Sequence, residues 1–279
     1  MKDRPIGVFD SGLGGLTVVR ELLGALPGED IVYLGDSARV SYGIRSLATI
    51  RQYASQAVRF LLRFEPKMIV VACNTASAAA IEQLEQACPV DVVDVIRPSA
   101  AAALAATDKP VGVIGTEATI ASGAYQKALR MLDPGRPIEV AACPLLVPIV
   151  EEGRSEDDPI VLHVLYDYLP RLQRIRPGAL ILGCTHYPLL ARAIARVMGP
   201  DVELIDSGRS AGAEAKGRLL AGGLANPRAS GGSLTCYTTD NAERFKRLSE
   251  RFGGRRVDQV TQIGTDELTE SSTGREVAL

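Results

Sequence analysis

Histidine is scarce in this chain, with His163 and His186 the only two in 279 residues. The five cysteines, Cys73, Cys88, Cys143, Cys184 and Cys236, never fall in a Cys-x-x-Cys pair. A zinc site therefore lacks its usual ligand spacing. An odd number of cysteines in a long chain also argues against a disulfide framework. No apolar run reaches the roughly 18 residues of a membrane span. The first residues, MKDRPIGVFDSG, enter a strand at once without the apolar stretch of a secretory leader, so the cytoplasm is the expected compartment. Charge of either sign is not in excess: 31 basic and 33 acidic residues leave a formal net charge of −2. Nucleic acid is not an expected partner. The first turn reads GLGG and lacks the GxGxxG spacing of a dinucleotide fold.

What is present is an ordinary globular composition, 46% hydrophobic and 23% charged, long enough for two domains. Residues 5–9 read as a strand, and TVVRELLGALP follows as a helix with Leu16, Val19, Leu22, Leu23 and Leu26 on one side. Strands are expected at 31–35, at MIVVAC and at VDVVDVI (90–96), with helices over about 46–64 and in SAAAIEQLEQ. Alternating β and α elements with short loops imply a parallel sheet covered by helices. The pattern then restarts. PVGVIGTEATIASG echoes PIGVFDSGLGG, with Ser11 matched by Thr116. Gly7 to Gly112 is an offset of 105 residues, and Cys73 to Cys184 one of 111. Similar offsets for separate motifs suggest a duplicated unit with the sites of both halves facing one cleft. SLTCYTTD reads as the last strand, and His163 and Cys143 as packed residues without a role.

The two halves converge on two cysteine loops, MIVVACNTAS (68–77) and LILGCTHYP (180–188), each an apolar run ending in a cysteine. A strand ending there would place its next residues at the carboxyl edge of a sheet, where open α/β folds build their sites. A helix starting beyond it would offer unpaired N–H groups and a positive dipole end, which favour a thiolate or a carboxylate. Redox chemistry would favour Cys-x-x-Cys, a metal would need more ligands, and acyl transfer would leave one cysteine idle. Two bases flanking one carbon would use both thiols. Asp10 and His186 are candidate acid–base helpers. Ser11, Asn74, Thr75, Thr116, Thr119 and Thr185 could hold the carboxylates and ammonium of an amino acid. A non-catalytic amino-acid-binding cleft, or cysteines that merely pack, would also fit these residues.

DSGLGG at 10–15, GD at 35–36, YG at 42–43, ACNTAS at 72–77, GTEAT at 115–119 and GCTHYP at 183–188 together resemble the signature set of the glutamate racemases, within the aspartate/glutamate racemase superfamily. The likeness runs over about residues 5–260. It implies cofactor-independent interconversion of L- and D-glutamate, supply of D-glutamate for peptidoglycan, and a homodimer. By resemblance Cys73 and Cys184 are the two acid/base thiols and Asp10 and His186 their assisting groups. Asp36 and one of Glu151 and Glu152 take supporting catalytic roles. Ser11, Tyr42, Gly43, Asn74, Thr75, Thr185 and His186 match substrate-binding positions. Ser41 stands where the family usually has proline, which loosens that loop. A racemase for aspartate would use the same cysteine chemistry.

The expected fold is α/β, two similar parallel-sheet domains related by pseudo-symmetry with the active site in the cleft between them. Residues 1–97 plus 207–264 would form one domain and 98–206 the other, and 265–279 a disordered tail.

Overall fold

A computed structural model describes residues 1–257 and 259–269. The chain opens with β1 (Ile6–Asp10), α1 (Leu16–Ala25), β2 (Ile31–Gly35), α2 (Leu47–Leu62), β3 (Met68–Val71), α3 (Asn74–Ala87) and β4 (Asp91–Asp94). A second run follows: α4 (Ile96–Ala106), β5 (Val111–Gly115), α5 (Glu117–Ala121), α6 (Ala124–Leu132), β6 (Ile138–Ala142) and α7 (Leu146–Glu151). It continues through α8 (Pro159–Tyr168), α9 (Pro170–Arg174), β7 (Ala179–Gly183), α10 (Ala191–Met198) and β8 (Glu203–Asp206). Then α11 (Ser207–Ala221), β9 (Leu234–Thr238), α12 (Ala242–Gly253) and β10 (Val260–Gln262) close the fold.

Every strand pairing is parallel. One sheet runs β10-β9-β2-β1-β3-β4 and the other β6-β5-β7-β8. Counted within each half, both contain the order second, first, third, fourth. The restart read from the sequence is thus a restart of topology, and β9 and β10 extend only the first sheet. Strands β1, β2, β3, β5 and β7 are buried along their whole length. Helices on both faces require that, and it explains why these strands are apolar without alternation. The chain crosses from the first sheet to the second between β4 and α4, and returns where β8 meets α11.

Four expectations change. The strand expected over 90–96 stops at Asp94, because its carboxylate accepts the N–H groups of Ile96 (2.7 Å) and Arg97 (2.8 Å) and starts α4 there. SLTCYTTD is not the last strand; the three-residue β10 follows and pairs with β9. Residues 265–269, expected to open a disordered tail, are packed instead, since Leu268 is buried in one cluster with Ile263 and the Gly264 N–H donates to Glu267. One apolar residue in a polar stretch leaves no period to read, yet it suffices to dock the segment. Residues 270–279 lie outside the described residues. His163 is exposed on α8, because Val161 and Leu165 define the buried side and residue 163 falls opposite.

Candidate functional site

The carboxyl ends of both sheets face one small cavity. Its lining includes Ser11, Ser41, Gly43, Cys73, Asn74, Thr75, Thr116, Cys184, Thr185 and His186. Cys73 leaves the third strand of the first sheet and Cys184 the third strand of the second. The cavity admits the centre of a water molecule over only about 20 Å3, room for one or two waters.

Cys73 caps α3: its Sγ accepts the Ala76 N–H at 3.4 Å, and Ser11 Oγ lies 3.6 Å away. Burial, then the neighbouring Asp10 carboxylate, push this thiol up to about 12, against the opposing pull of the Ala76 and Ser11 hydrogen bonds. Asp10 ends β1 and is fully buried. One of its oxygens accepts the Gly12 N–H at 2.9 Å, while Oδ1 has no hydrogen-bond partner. Burial raises the Asp10 carboxyl above its ordinary value, opposed by the charge of His186 and by backbone N–H groups. A buried carboxyl beside a buried thiol is a pair in which a proton can be shared.

The Cys184 side is built differently. The expected helix does not start after this cysteine; Pro188 sits in a tight 3₁₀ turn over Tyr187–Leu190, and α10 begins only at Ala191. His186 supplies the charge instead. Its Nδ1 lies 3.9 Å from Cys184 Sγ and 3.4 Å from Thr185 Oγ1, and its Nε2 lies 3.1 Å from Glu151 Oε1. Burial opposes a charge on this imidazole, but the Cys184 sulfur and the Glu151 carboxylate outweigh it and raise His186 to about 10. Hydrogen bonding to His186 lowers Glu151, as does Arg244, whose Nη2 is 3.3 Å from Oε2. Phe252 of α12 packs edge-on against the ring, 5.2 Å between centroids.

The hydroxyl side of the cavity is a triangle. Thr75 Oγ1 lies 2.9 Å from Thr116 Oγ1 and 3.1 Å from Thr119 Oγ1, and the latter two are 2.9 Å apart. Thr75 and Thr116 line the cavity, whereas Thr119 stands behind them. Asn74 donates from Nδ2 to Tyr125 (2.8 Å) and Ser207 (3.4 Å), leaving Oδ1 buried and unpartnered.

Besides Thr119, three expected site residues lie elsewhere. Asp36 is buried outside the cavity, accepting from the Arg39 guanidinium (2.7 Å), the Tyr42 hydroxyl and Thr239 (3.0 Å). It braces the turn that carries Tyr42 and Gly43. Tyr42 accordingly turns its hydroxyl away from the cavity toward Asp36, so of this pair only Gly43 lines it. Glu152 is exposed just past the end of α7, one residue beyond the position that reaches His186. Glu151 is the member of the pair at the site. Cys143, expected to be packing, is fully buried and pushed up to about 12 by burial. Among the described residues, no group of three or more His, Cys, Asp or Glu side chains is placed to hold a metal ion.

Sequence reasoning missed why the first loop is GLGG. A Cβ on Gly14 would lie 2.3 Å from Thr185 Oγ1 and 2.6 Å from His186 Cε1, so the first loop of one sheet lies directly against the cysteine loop of the other. A Cβ on Gly43 would meet Thr116 at 2.8 Å. Tyr125, Ser207 and Arg244 were missed too, since each is remote in sequence from the motifs.

Residues 6–215 match the family described as Asp/Glu/Hydantoin racemase. The chain is 47% identical over 261 residues to the glutamate racemase of Syntrophus aciditrophicus, covering 93% of this chain and 96% of that one. It resembles the crystal structure of the glutamate racemase isoform RacE1 from Bacillus anthracis with a TM-score of 0.90 and 39% identity, covering 94% and 98% of the two chains. The glutamate racemase of Francisella tularensis, solved in complex with D-glutamate, matches at a TM-score of 0.88 and 38% identity, over 95% and 99% of the chains.

Proposed function

The chain belongs to the glutamate racemases of the Asp/Glu/Hydantoin racemase family, and we propose that it inverts the α-carbon of glutamate by proton transfer between Cys73 and Cys184, without a cofactor. The observation that carries this reading is that both thiols, one from each sheet, line one cavity otherwise lined largely by hydroxyl, amide and imidazole groups. One thiolate takes the α-proton while the opposite thiol returns one to the other face. Each enantiomer uses the pair in the reverse sense.

Asp10 is the proton acceptor for Cys73, and the protonated His186 the proton donor and charge partner for Cys184. Glu151 holds the imidazolium in place. The α-proton is far less acidic than a thiol, so the carbanionic transition state needs fixed donors in a water-poor site. Ser11, Gly43, Asn74, Thr75, Thr116 and Thr185 are the groups that would bind the substrate's carboxylates and ammonium. Asp36 acts on that site through the Tyr42 turn. The cavity is smaller than an amino acid, so the two sheets must separate for entry and close again for chemistry.

The proposed domain division places residues 1–97 plus 207–264 in one body and 98–206 in the other, with its boundaries near the two chain crossings. A homodimer, a cytoplasmic location and supply of D-glutamate to peptidoglycan, hence to cell-wall biogenesis and cell shape, complete the reading. Among the described residues no helix is long and apolar enough to cross a membrane.

The test is optical. Purified protein is added to L-glutamate in D2O without cofactor, and ellipticity and α-deuterium are followed. Decay to zero with label in both enantiomers is the expected result. Turnover of aspartate but not glutamate would reassign the substrate, and inertness toward both would leave a binding cleft. Cys73→Ser and Cys184→Ser should each abolish reversible racemisation; full activity in either variant would sink the two-thiol mechanism.

A further inference from the structure

Asn74 is the first residue of α3, next to Cys73, yet its side chain reaches away from its own sheet. Its Nδ2 donates to the hydroxyl of Tyr125 on α6 and to Ser207 at the start of α11. Those contacts lead to the two crossings between the sheets. Ser207 Oγ donates its proton to the Leu182 carbonyl on β7 at 3.1 Å. Having one proton, it can only accept from Asn74. The Leu182 carbonyl therefore fixes the polarity of this contact and requires an NH2 group, not an oxygen, where Asn74 meets Ser207. The same NH2 group donates to the Tyr125 hydroxyl at 2.8 Å. The amide oxygen is left buried, without a partner, in a residue that lines the cavity.

We propose that Tyr125 and Ser207 are positioning residues that lock the Asn74 amide with its oxygen presented to the substrate ammonium. The inference rests on the glutamate reading of the site. It adds that recognition of the ammonium is set by groups that never touch the substrate. An amide free to turn would present NH2 to an ammonium for part of the time and repel it. Because Tyr125 stands on α6 of the second half and Ser207 is bonded to β7 of the second sheet, the oxygen is correctly aimed only when the two sheets are closed together.

The experiment is a double-mutant cycle on KM and kcat for L- and D-glutamate. Tyr125→Phe and Ser207→Ala should each raise KM, by about tenfold for Tyr125→Phe, with kcat changed less than about twofold, because an interaction lost equally from ground and transition states acts on KM. In an Asn74→Ala background the same substitutions should change nothing further. A purely structural role would lower kcat or folded fraction in both backgrounds alike, and would overturn the inference. So would an unchanged KM in both variants. If Tyr125→Phe does not fold, Ser207→Ala decides by the same criterion. Inertness of the unmodified chain toward glutamate would overturn the reading of the site and this inference with it, whereas normal turnover with unchanged KM in the variants overturns the inference alone.

Discussion

Gly14 and His186 meet with no space for a methyl group between them: a Cβ on Gly14 would lie 2.7 Å from the imidazole Nδ1. The imidazole faces Cys184 on that same nitrogen. Gly14→Ala must therefore displace the ring from the thiol or hold the sheets apart. We expect at least a tenfold loss of kcat/KM, of the size seen when a positioned catalytic group shifts by an ångström, with a folded protein by circular dichroism. Activity near the parent's would show that His186 tolerates movement.

The His186–Glu151 pair sets a pH window for stability. His186 is raised from 6.5 to about 10, so the stability it contributes is complete below about 6.5 and is lost as pH rises toward 10. Glu151 is lowered from 4.5, so its contribution is present above that value and fades as pH falls below it. Denaturant titrations should give a decline on both flanks, and Glu151→Gln should flatten the alkaline one. An unchanged alkaline flank in that variant would place the pH dependence elsewhere.

Burial and the Asp10 charge both hold the Cys73 proton in place. Asp10→Asn removes the second cause and leaves the first. The alkylation profile of the Cys73 peptide, followed by mass spectrometry, should shift to lower pH while racemisation falls. A shift to higher pH would mean that Asp10 stabilises the thiolate rather than opposing it.

The threonine triangle separates binding from support. Thr119→Val should cost about 1–2 kcal/mol of stability and leave KM unchanged, since Thr119 stands behind the cavity wall. Thr116→Val should raise KM. Equal effects on KM would place both hydroxyls at the substrate.

Asp36 accepts from Arg39, Tyr42 and Thr239 while fully buried. Asp36→Ala leaves a buried tyrosine hydroxyl without its acceptor and a mostly buried guanidinium without its carboxylate, with the Gln56 amide oxygen remaining to it. A loss of about 3–5 kcal/mol is expected from breaking such a pair, read by chemical denaturation, together with a raised KM through the Gly43 turn. Lost kcat with intact stability would return Asp36 to the chemistry.

Much of this site was legible because the motifs sit where strands end. Asp10, Cys73, Thr116 and Cys184 each end or follow a buried apolar run, so their place at the carboxyl edges of the two sheets follows from pattern alone. The repeat was visible as two similar offsets. What stayed hidden depends on packing between halves. Glu151 and Glu152 differ by one step of a short helix, and only docking against His186 distinguishes them. Tyr125 and Ser207 carry no local signature, because their role is set by contact with Asn74, which is remote from both in sequence. The helix expected after Cys184 failed because Pro188 and a 3₁₀ turn occupy that position.

The two half-sites share a strand order but not a chemistry: one thiol caps a helix beside a carboxyl, and the other faces an imidazole held by a glutamate. Enantiomers in water have equal free energies, so the equilibrium constant of their interconversion is one. The ratio kcat/KM must then be identical in the two directions, however dissimilar the flanking groups. Any inequality between Asp10 with Cys73 and His186 with Cys184 can surface only as a matched change of kcat and KM together. An enzyme that turns over one enantiomer faster at saturation must, by the same factor, need more of it to saturate.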